Sequence, residues 1–272
     1  MRVSANTRLL VILGDPVAHS LSPDMHNAAC LGLGLDAVYV AWRAPAADLA
    51  ATLAAFAAMG VAGNVTVPHK EAMERSLTRK TDICARTGAC NTFWVEHGTL
   101  VGDNTDVPAI AAQVSALGAN GGRWLVLGTG GSARAVAIAA ADAHAELLVK
   151  SRDRGRGRSF VEWAAGRGVR AQVAPEQLSA DVVINATPLG LSPQDPLPIA
   201  PDAIAGLRVG LDLTYRPGET TWVQQLRAMG VTACDGRDVL VRQGTLAFTR
   251  FFPSAEPPIE LMRAAVARAL RA

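Results

Sequence analysis

The stretch RWLVLGTGGSARAVAIAA, residues 123–140, limits what this chain can fold into more than any other. An apolar, strand-like run reaches Gly128, Gly130 and Ala133, spaced Gly-x-Gly-x-x-Ala, and passes directly into an alanine-rich helical pattern. At that spacing the first glycine permits a tight turn, the second lets backbone approach a pyrophosphate, and the small third residue lets helix and strand pack closely. The N–H groups and dipole of the helix then face an anion. A strand, glycine turn and helix in that order predict a βαβ unit in a parallel sheet, built to hold a dinucleotide.

The rest of the chain has the same rhythm. Strand-like runs alternate with helical stretches throughout, the pattern of a layered α/β protein. Before the glycine turn, strands are expected at 8–13, 37–42 and 63–67, with helices at 23–34 and 46–59, the second closed by Gly60. Residues 89–104 read as two short strands around His97-Gly98, a hairpin. A helix follows from Asp106 to Leu117, and GANGG at 118–122 punctuates the chain. The second series has strands at 123–128, 145–150, 169–173, 181–186 and 208–213. From Gly236 onward the pattern is helical, with Pro253, Pro257 and Pro258 separating two helices. Two α/β domains are expected, residues 1–105 joined by 237–272, and residues 106–236, with ligands favouring their junction.

Bulk properties exclude several classes. At 272 residues, half of them apolar and 18% charged, the chain buries a sizeable core and is not disordered. A net charge of +2 does not by itself imply nucleic acid. Cys30, Cys84, Cys90 and Cys234 form no CxxC pair and no zinc spacing, which suits reduced, buried thiols in cytoplasm. The most apolar window, 135–149, is interrupted by Asp142, His144 and Glu146, so no membrane span is expected. The apolar run near the N-terminus stops at Gly14-Asp15-Pro16, shorter than the core of a signal peptide, and reads as a first strand.

The residues after the second dinucleotide-domain strand bear on the cofactor. An NAD site places Asp or Glu there to bind the ribose 2′-hydroxyl. Here the strand runs into VKSRDRGRGR, with Lys150, Ser151 and Arg152 at that point. Arg152 suits a 2′-phosphate and favours NADP, while Asp153 keeps NAD as the minority reading. A nucleic-acid patch is disfavoured, because the basic run carries no interleaved aromatics.

In the first half, NVTVPHK brings a strand to an end on Lys70, one of only three lysines in a chain that otherwise writes positive charge as arginine. Polar residues also gather at Ser20, Ser22, Thr66, Asn91 and Asp106. Each has an ordinary explanation: Ser22 as a helix cap, Asn91 and Asn104 as turn residues, Asp106 as a charge at a helix N-terminus. His19, His26 and His69 lack metal-ligand spacing, and no metal is expected. No Gly-x-Ser-x-Gly elbow suggests a serine nucleophile.

Taken together, GDPVAHSLSP, NVTVPHK, GACNTF, GDNTD, GTGGSARA, NATPLG, DLTYRPGET and DGRDVLVRQG resemble the successive motifs of the shikimate dehydrogenase family, in order, across residues 12–245. The resemblance implies an N-terminal α/β substrate domain, a Rossmann-fold NADP domain, and C-terminal helices returning to the first domain. It implies Lys70 and Asp106 as the catalytic pair, and Ser20 and Ser22 on the substrate carboxylate. Thr66, Asn91 and Gln243 would contact ring hydroxyls, with Thr66 and Tyr215 also near the carboxylate. Gly128, Thr129, Gly130, Gly131, Ser132 and Ala133 match the pyrophosphate loop. Ser151, Arg152, Thr187 and Asp238 complete the cofactor set.

The sequence also departs from the family pattern. Ser151 and Asp153 replace the usual Asn and Thr, Val107-Pro108 follows Asp106 where Gly is common, and Asp238 and Val239 stand where Gly and Met are frequent. The implied activity is NADP-linked, reversible reduction of 3-dehydroshikimate to shikimate by a cytoplasmic monomer or homodimer that binds no nucleic acid or membrane. Two alternatives stay open: a quinate/shikimate dehydrogenase using NAD or both cofactors, and a non-catalytic NADP-binding sensor.

Overall fold

The computed structural model, which describes residues 3–271, separates into two units, residues 1–105 with 240–272 and residues 106–239. The first unit begins as β1 (Arg8–Gly14), α1 (Ser22–Gly32), β2 (Ala37–Arg43), α2 (Leu49–Met59) and β3 (Ala62–Val65). It continues as α3 (Lys70–Ser76), β4 (Arg79–Lys80), α4 (Asp82–Thr87), β5 (Thr92–Glu96) and β6 (Thr99–Asp103). The strands form one sheet in the order β2-β1-β3-β5-β6-β4. β1 pairs in parallel with β2 and β3, whereas β5 runs antiparallel to β3 and β6.

Alternation along β1 sends Val11 and Leu13 into a core with Leu53, Phe56, Val65, Met73 and Phe93. Gly60 ends α2 in the left-handed conformation, φ 70°, as its position after the apolar run predicts. The hairpin also forms where expected, with His97 and Gly98 both at positive φ, 50° and 72°, the twist a two-residue connection requires.

The second unit runs α5 (Asp106–Ala116), β7 (Arg123–Leu127), α6 (Gly131–Asp142), β8 (Glu146–Lys150), α7 (Arg154–Ala165) and β9 (Ala171–Val173). It continues as β10 (Leu178–Ser179), β11 (Val182–Asn185), β12 (Ile204–Ala205), β13 (Val209–Asp212), α8 (Thr221–Ala228) and β14 (Thr232–Cys234). Its main sheet is ordered β14-β13-β11-β7-β8-β9 with every pairing parallel, and β10 and β12 form a separate two-stranded pair. Strand order reverses between β7 and β11, the doubly wound arrangement whose ligand sits at the carboxyl ends beside that reversal. Being covered on both faces, the central strands are apolar at successive positions: Val182, Val183 and Ile184 are all fully buried.

Two helices close the chain, α9 (Arg237–Phe251) and α10 (Ile259–Ala269), and the division between units falls within α9, at residues 239 and 240. The later turns of α9 pack into the first unit. A Cβ on Gly244 would lie 2.2 Å from the Met25 methyl of α1, so glycine there sets how closely these two helices approach.

Several expected boundaries shift. The strand expected to reach residue 67 stops at Val65, because Thr66 to His69 turn into α3. The strand expected from 169 begins at Ala171, its first residues being loop. β4, β14, α3, α4 and α8 are too short to carry a period and were not legible in the sequence. Nor does the Ser22 side chain cap α1: the helix starts at Ser22 itself, after Leu21, with no side-chain cap.

His26, on α1, is fully buried and stacks against Tyr39 at 4.5 Å, with Phe248 and Phe251 of α9 alongside at 6.2 and 5.7 Å. Neither ring nitrogen has a hydrogen-bond partner. Burial therefore holds the imidazole neutral, moving its pKa from 6.5 down to about 3. In that window the unfolded chain binds a proton that the folded chain refuses, so stability falls as pH drops, by up to about 1.4 kcal/mol per pH unit. Urea-unfolding midpoints of His26→Leu should decline less steeply than wild type between pH 6.5 and 4. An unchanged slope in the variant would assign the acid sensitivity to other groups.

Candidate functional site

The first unit concentrates its polar groups where β3, β5 and β6 end. Asn64, on β3, is buried within an otherwise apolar run and cannot leave its amide unpaired. It accepts from the Tyr39 hydroxyl at 2.8 Å and donates to the Asn91 carbonyl and to Thr92 Oγ1 at 3.1 and 3.0 Å. Burial holds the pKa of the same Tyr39 phenol well above the usual range. Ser22 is buried, while Ser20 is half-buried and its Oγ accepts from the Ser22 backbone N–H at 3.3 Å.

Asn91 lies between the two strand ends. Its Oδ1 accepts from the Thr105 N–H at 2.8 Å, and its Nδ2 donates to Thr105 Oγ1 at 3.0 Å. Gln243, on α9, brings its Oε1 to 3.4 Å from Asn91 Nδ2 and 3.5 Å from Thr105 Oγ1, while its own Nε2 donates to the Leu240 carbonyl at 2.8 Å. Asn91 and Gln243 are thus brought together, and Thr105, absent from the expected set, lies with them.

Lys70 is the first residue of α3 and half-buried. The turn that delivers it is held at each step: Thr66 N–H donates to Leu13, His69 N–H to Thr66, and Cys90 N–H to the Lys70 carbonyl, at 2.8, 2.9 and 2.8 Å. His69 is the anchor. The residue is 1% exposed and Nε2 lies 2.7 Å from the Ala44 carbonyl, so the ring bonds to backbone. The Thr66 methyl lies against Gly14, where a Cβ would approach it to 2.5 Å. The Cys90–Lys70 bond makes the Lys70 turn a direct neighbour of Asn91.

In the second unit Asp106 opens α5 and is nearly buried, a carboxylate at a helix N-terminus as the sequence predicts. The glycine turn follows β7. Gly128 adopts φ +108°, and a Cβ there would press on the Ala186 carbonyl at 3.0 Å and the Thr187 methyl at 3.2 Å. Gly130 differs: a Cβ would meet nothing within 4 Å, so packing does not demand glycine. In a glycine turn of this spacing the second glycine is the position that lets backbone approach a pyrophosphate. Thr129 and Gly130 lead into α6, Gly131 and Ser132 form its first turn, and Ala133 is fully buried against the sheet.

After β8, Ser151 is half-buried and Arg152 is exposed. Asp153 turns its carboxylate to the start of α7, where Oδ1 accepts from the Arg156 N–H at 3.1 Å. An acid committed to a helix cap is poorly disposed to bind a ribose hydroxyl, while the exposed Arg152 guanidinium fits a phosphate.

Asp212, at the end of β13, organises the neighbouring loops. Its Oδ1 accepts from Asn185 Nδ2, Thr214 N–H and Thr214 Oγ1 at 2.9, 3.0 and 2.8 Å, and its Oδ2 from Thr220 Oγ1 at 2.8 Å. Burial raises its pKa against the pull of those donors. Asn185 Oδ1 in turn accepts from the Thr187 N–H and hydroxyl at 3.0 and 2.7 Å, and Tyr215 follows Thr214 directly. Asp238 lies in the first turn of α9. Its charge adds to burial in pushing the Cys234 thiol up to about 11. All four cysteines are free, and among the described residues no group of three His, Cys, Asp or Glu side chains gathers as a metal site.

Residues 12–93 match the family model for the shikimate dehydrogenase substrate binding domain. A Moorella thermoacetica protein named shikimate dehydrogenase (NADP(+)) is 38% identical over 96% of this chain and 93% of its own length. A Thermus thermophilus shikimate 5-dehydrogenase, solved with NADP(H) and shikimate, is 35% identical with a TM-score of 0.87, covering 97% of this chain and all of the other. A Listeria monocytogenes shikimate 5-dehydrogenase, solved with shikimate and NAD, is 26% identical with a TM-score of 0.84, covering 97% of this chain and 98% of the other.

His69→Leu removes the partner of a buried carbonyl, and denaturant titration should reveal a loss of about 1–3 kcal/mol. A wild-type midpoint would mean that the turn bearing Lys70 is held without this ring.

Proposed function

The chain belongs to the shikimate dehydrogenase family, and from that premise we propose that it catalyses the NADP-linked, reversible reduction of 3-dehydroshikimate to shikimate. Residues 1–105 with 240–272 supply most of the substrate contacts, and residues 106–239 the cofactor contacts together with Asp106 and Tyr215. The observation that carries the reading is the hydrogen-bonded set at the strand ends of the first unit, Asn91, Thr105 and Gln243, with the Lys70 turn bonded directly beside it. Amides and hydroxyls in that arrangement suit a small polyhydroxy acid. A site built to satisfy hydroxyls rejects analogues lacking them by about 10⁴–10⁵.

The glycine turn of residues 128–133 with Ser151, Arg152, Thr187 and Asp238 would hold NADPH, which would supply the hydride equivalent. The chain's own residues deal with charge and protons. Reduction of a ring ketone leaves negative charge on its oxygen. The Lys70 ammonium polarises that carbonyl and delivers a proton to the oxygen, while Asp106 accepts from a substrate hydroxyl and orients the pair. Ser20 and Ser22 bind the substrate carboxylate, a role to which the family resemblance also assigns Thr66 and Tyr215. In the oxidation direction the neutral Lys70 amine takes the proton back.

Use of Asp153 as a helix cap and the exposure of Arg152 favour NADP over NAD. Four free thiols suit a reducing compartment, and we place the enzyme in the cytoplasm, as a monomer or homodimer.

Absorbance of the reduced nicotinamide, followed with shikimate or quinate and NADP or NAD in all four pairings, tests the assignment. Shikimate with NADP should dominate kcat/KM, and a preference for quinate or NAD would select the broader enzyme. Lys70→Ala should lower kcat by about 10²–10⁴ with a smaller effect on KM. Near-normal turnover in that variant would remove Lys70 from the chemistry. Arg152→Ala should raise the KM for NADP roughly 10–100-fold while leaving that for NAD unchanged. Equal effects on both cofactors would locate the 2′-phosphate contact elsewhere.

A further inference from the structure

Gln243 is weakly held where it matters. Its approaches to Asn91 and Thr105, 3.4 and 3.5 Å, are long for hydrogen bonds, and its firm bond, at 2.8 Å, is to Leu240 in its own helix. The position of its amide therefore depends on where α9 docks. Phe248 and Phe251 fill a core from that helix, but smooth apolar packing tolerates small rotations and slides. A directional contact fixes register better.

One such contact lies two turns on. Arg250 follows Gln243 by seven residues, which returns to the same face about 10 Å along the axis. Its Nε and Nη2 both donate to Asp103 Oδ2 at 2.9 Å, and its guanidinium lies 5.5 Å from the centre of the Trp94 ring. Asp103 is not a surface acid: its side chain is only 4% exposed, and Oδ1 is occupied by the Thr81 hydroxyl at 2.6 Å and the Asn104 N–H at 2.8 Å. Through its main chain, Asp103 also accepts from the Asn91 N–H at 3.1 Å. The residue that holds Arg250 by its side chain thus holds Asn91 by its backbone. The two anchors of the Asn91–Gln243 contact converge on one carboxylate-bearing residue.

We propose that Arg250 and Asp103 are positioning residues for substrate binding: their ion pair sets the register of α9, and with it the place at which Gln243 offers its amide beside Asn91 and Thr105. This rests on the reading that Gln243 binds a ring hydroxyl. Neither residue touches substrate. Their effect belongs to ground-state binding, not to the hydride or proton step, so it is expected in KM with kcat preserved.

The test is steady-state oxidation of shikimate by NADP with Arg250→Ala, Gln243→Ala and the double variant of the full chain. Gln243→Ala alone should raise the KM for shikimate about tenfold. If it does not, the reading of Gln243 fails, and the proposal fails with it. Given that rise, Arg250→Ala should also raise the shikimate KM, with kcat within about twofold and the KM for NADP unchanged. It should add nothing further in the Gln243→Ala background, because the two changes remove one interaction. Arg250→Lys, which keeps the charge without the planar fork, should fall between wild type and Arg250→Ala. Additive increases in the double variant, or a wild-type KM for Arg250→Ala, would overturn the proposal while leaving Gln243 in its role. If Arg250→Ala does not fold, Arg250→Lys and Asp103→Asn, each with and without Gln243→Ala, give the same comparison.

Discussion

A carboxamide buried in the middle of a strand must find partners, and the way Asn64 finds them arranges the substrate-binding unit. Its oxygen takes the Tyr39 hydroxyl, and its nitrogen serves the Asn91 carbonyl and the Thr92 hydroxyl. From that one side chain, polar contacts run outward to Tyr39 in one direction and to Asn91, Thr105 and Gln243 in the other. A half-satisfied network of this kind is worse than an apolar core, so a single displaced member is costly. Satisfaction of Asn64 thus makes the ends of three strands one rigid polar surface.

The cofactor unit solves the same problem with a charge. Asp212 collects four donors at the end of β13 and thereby shapes the loops that carry Thr187 and Tyr215. Each unit therefore has a buried polar residue that reacts with nothing but determines where its loops lie.

Much of this was legible in the sequence, and what was missed has physical reasons. The glycine turn, the hairpin at His97-Gly98 and the left-handed end of α2 at Gly60 follow from backbone rules that act over a few residues, and each appears where those rules put it. Short elements such as β4, β14 and α3 are fixed by tertiary contact and have no period to read. In the site, Lys70 and Asn91 stood out as polar groups at strand ends. Asn64, His69, Thr105 and Asp212 did not, because polar residues at loops and strand ends are common and the contacts that single these out are made only in the folded chain. Asn64 left one trace, a carboxamide within an apolar strand. Asp153 was ambiguous for a different reason: its identity fits either a ribose hydroxyl or a helix start, and only the Arg156 bond distinguishes them.

The first unit is assembled from both ends of the chain, with the whole of the second unit between its parts. On the ribosome, residues 106–239 are complete while the first sheet still lacks α10 and most of α9. Until those last turns emerge, His26 has no Phe248 or Phe251 beside it, and Met25 lacks the close approach of Gly244. Synthesis at about 5–20 residues per second makes that a wait of several seconds with apolar surface bare. The nascent protein thus acquires its nucleotide-binding half before its substrate-binding half, and a chain truncated before α9 leaves the His26 side of α1 without α9 and α10 to cover it.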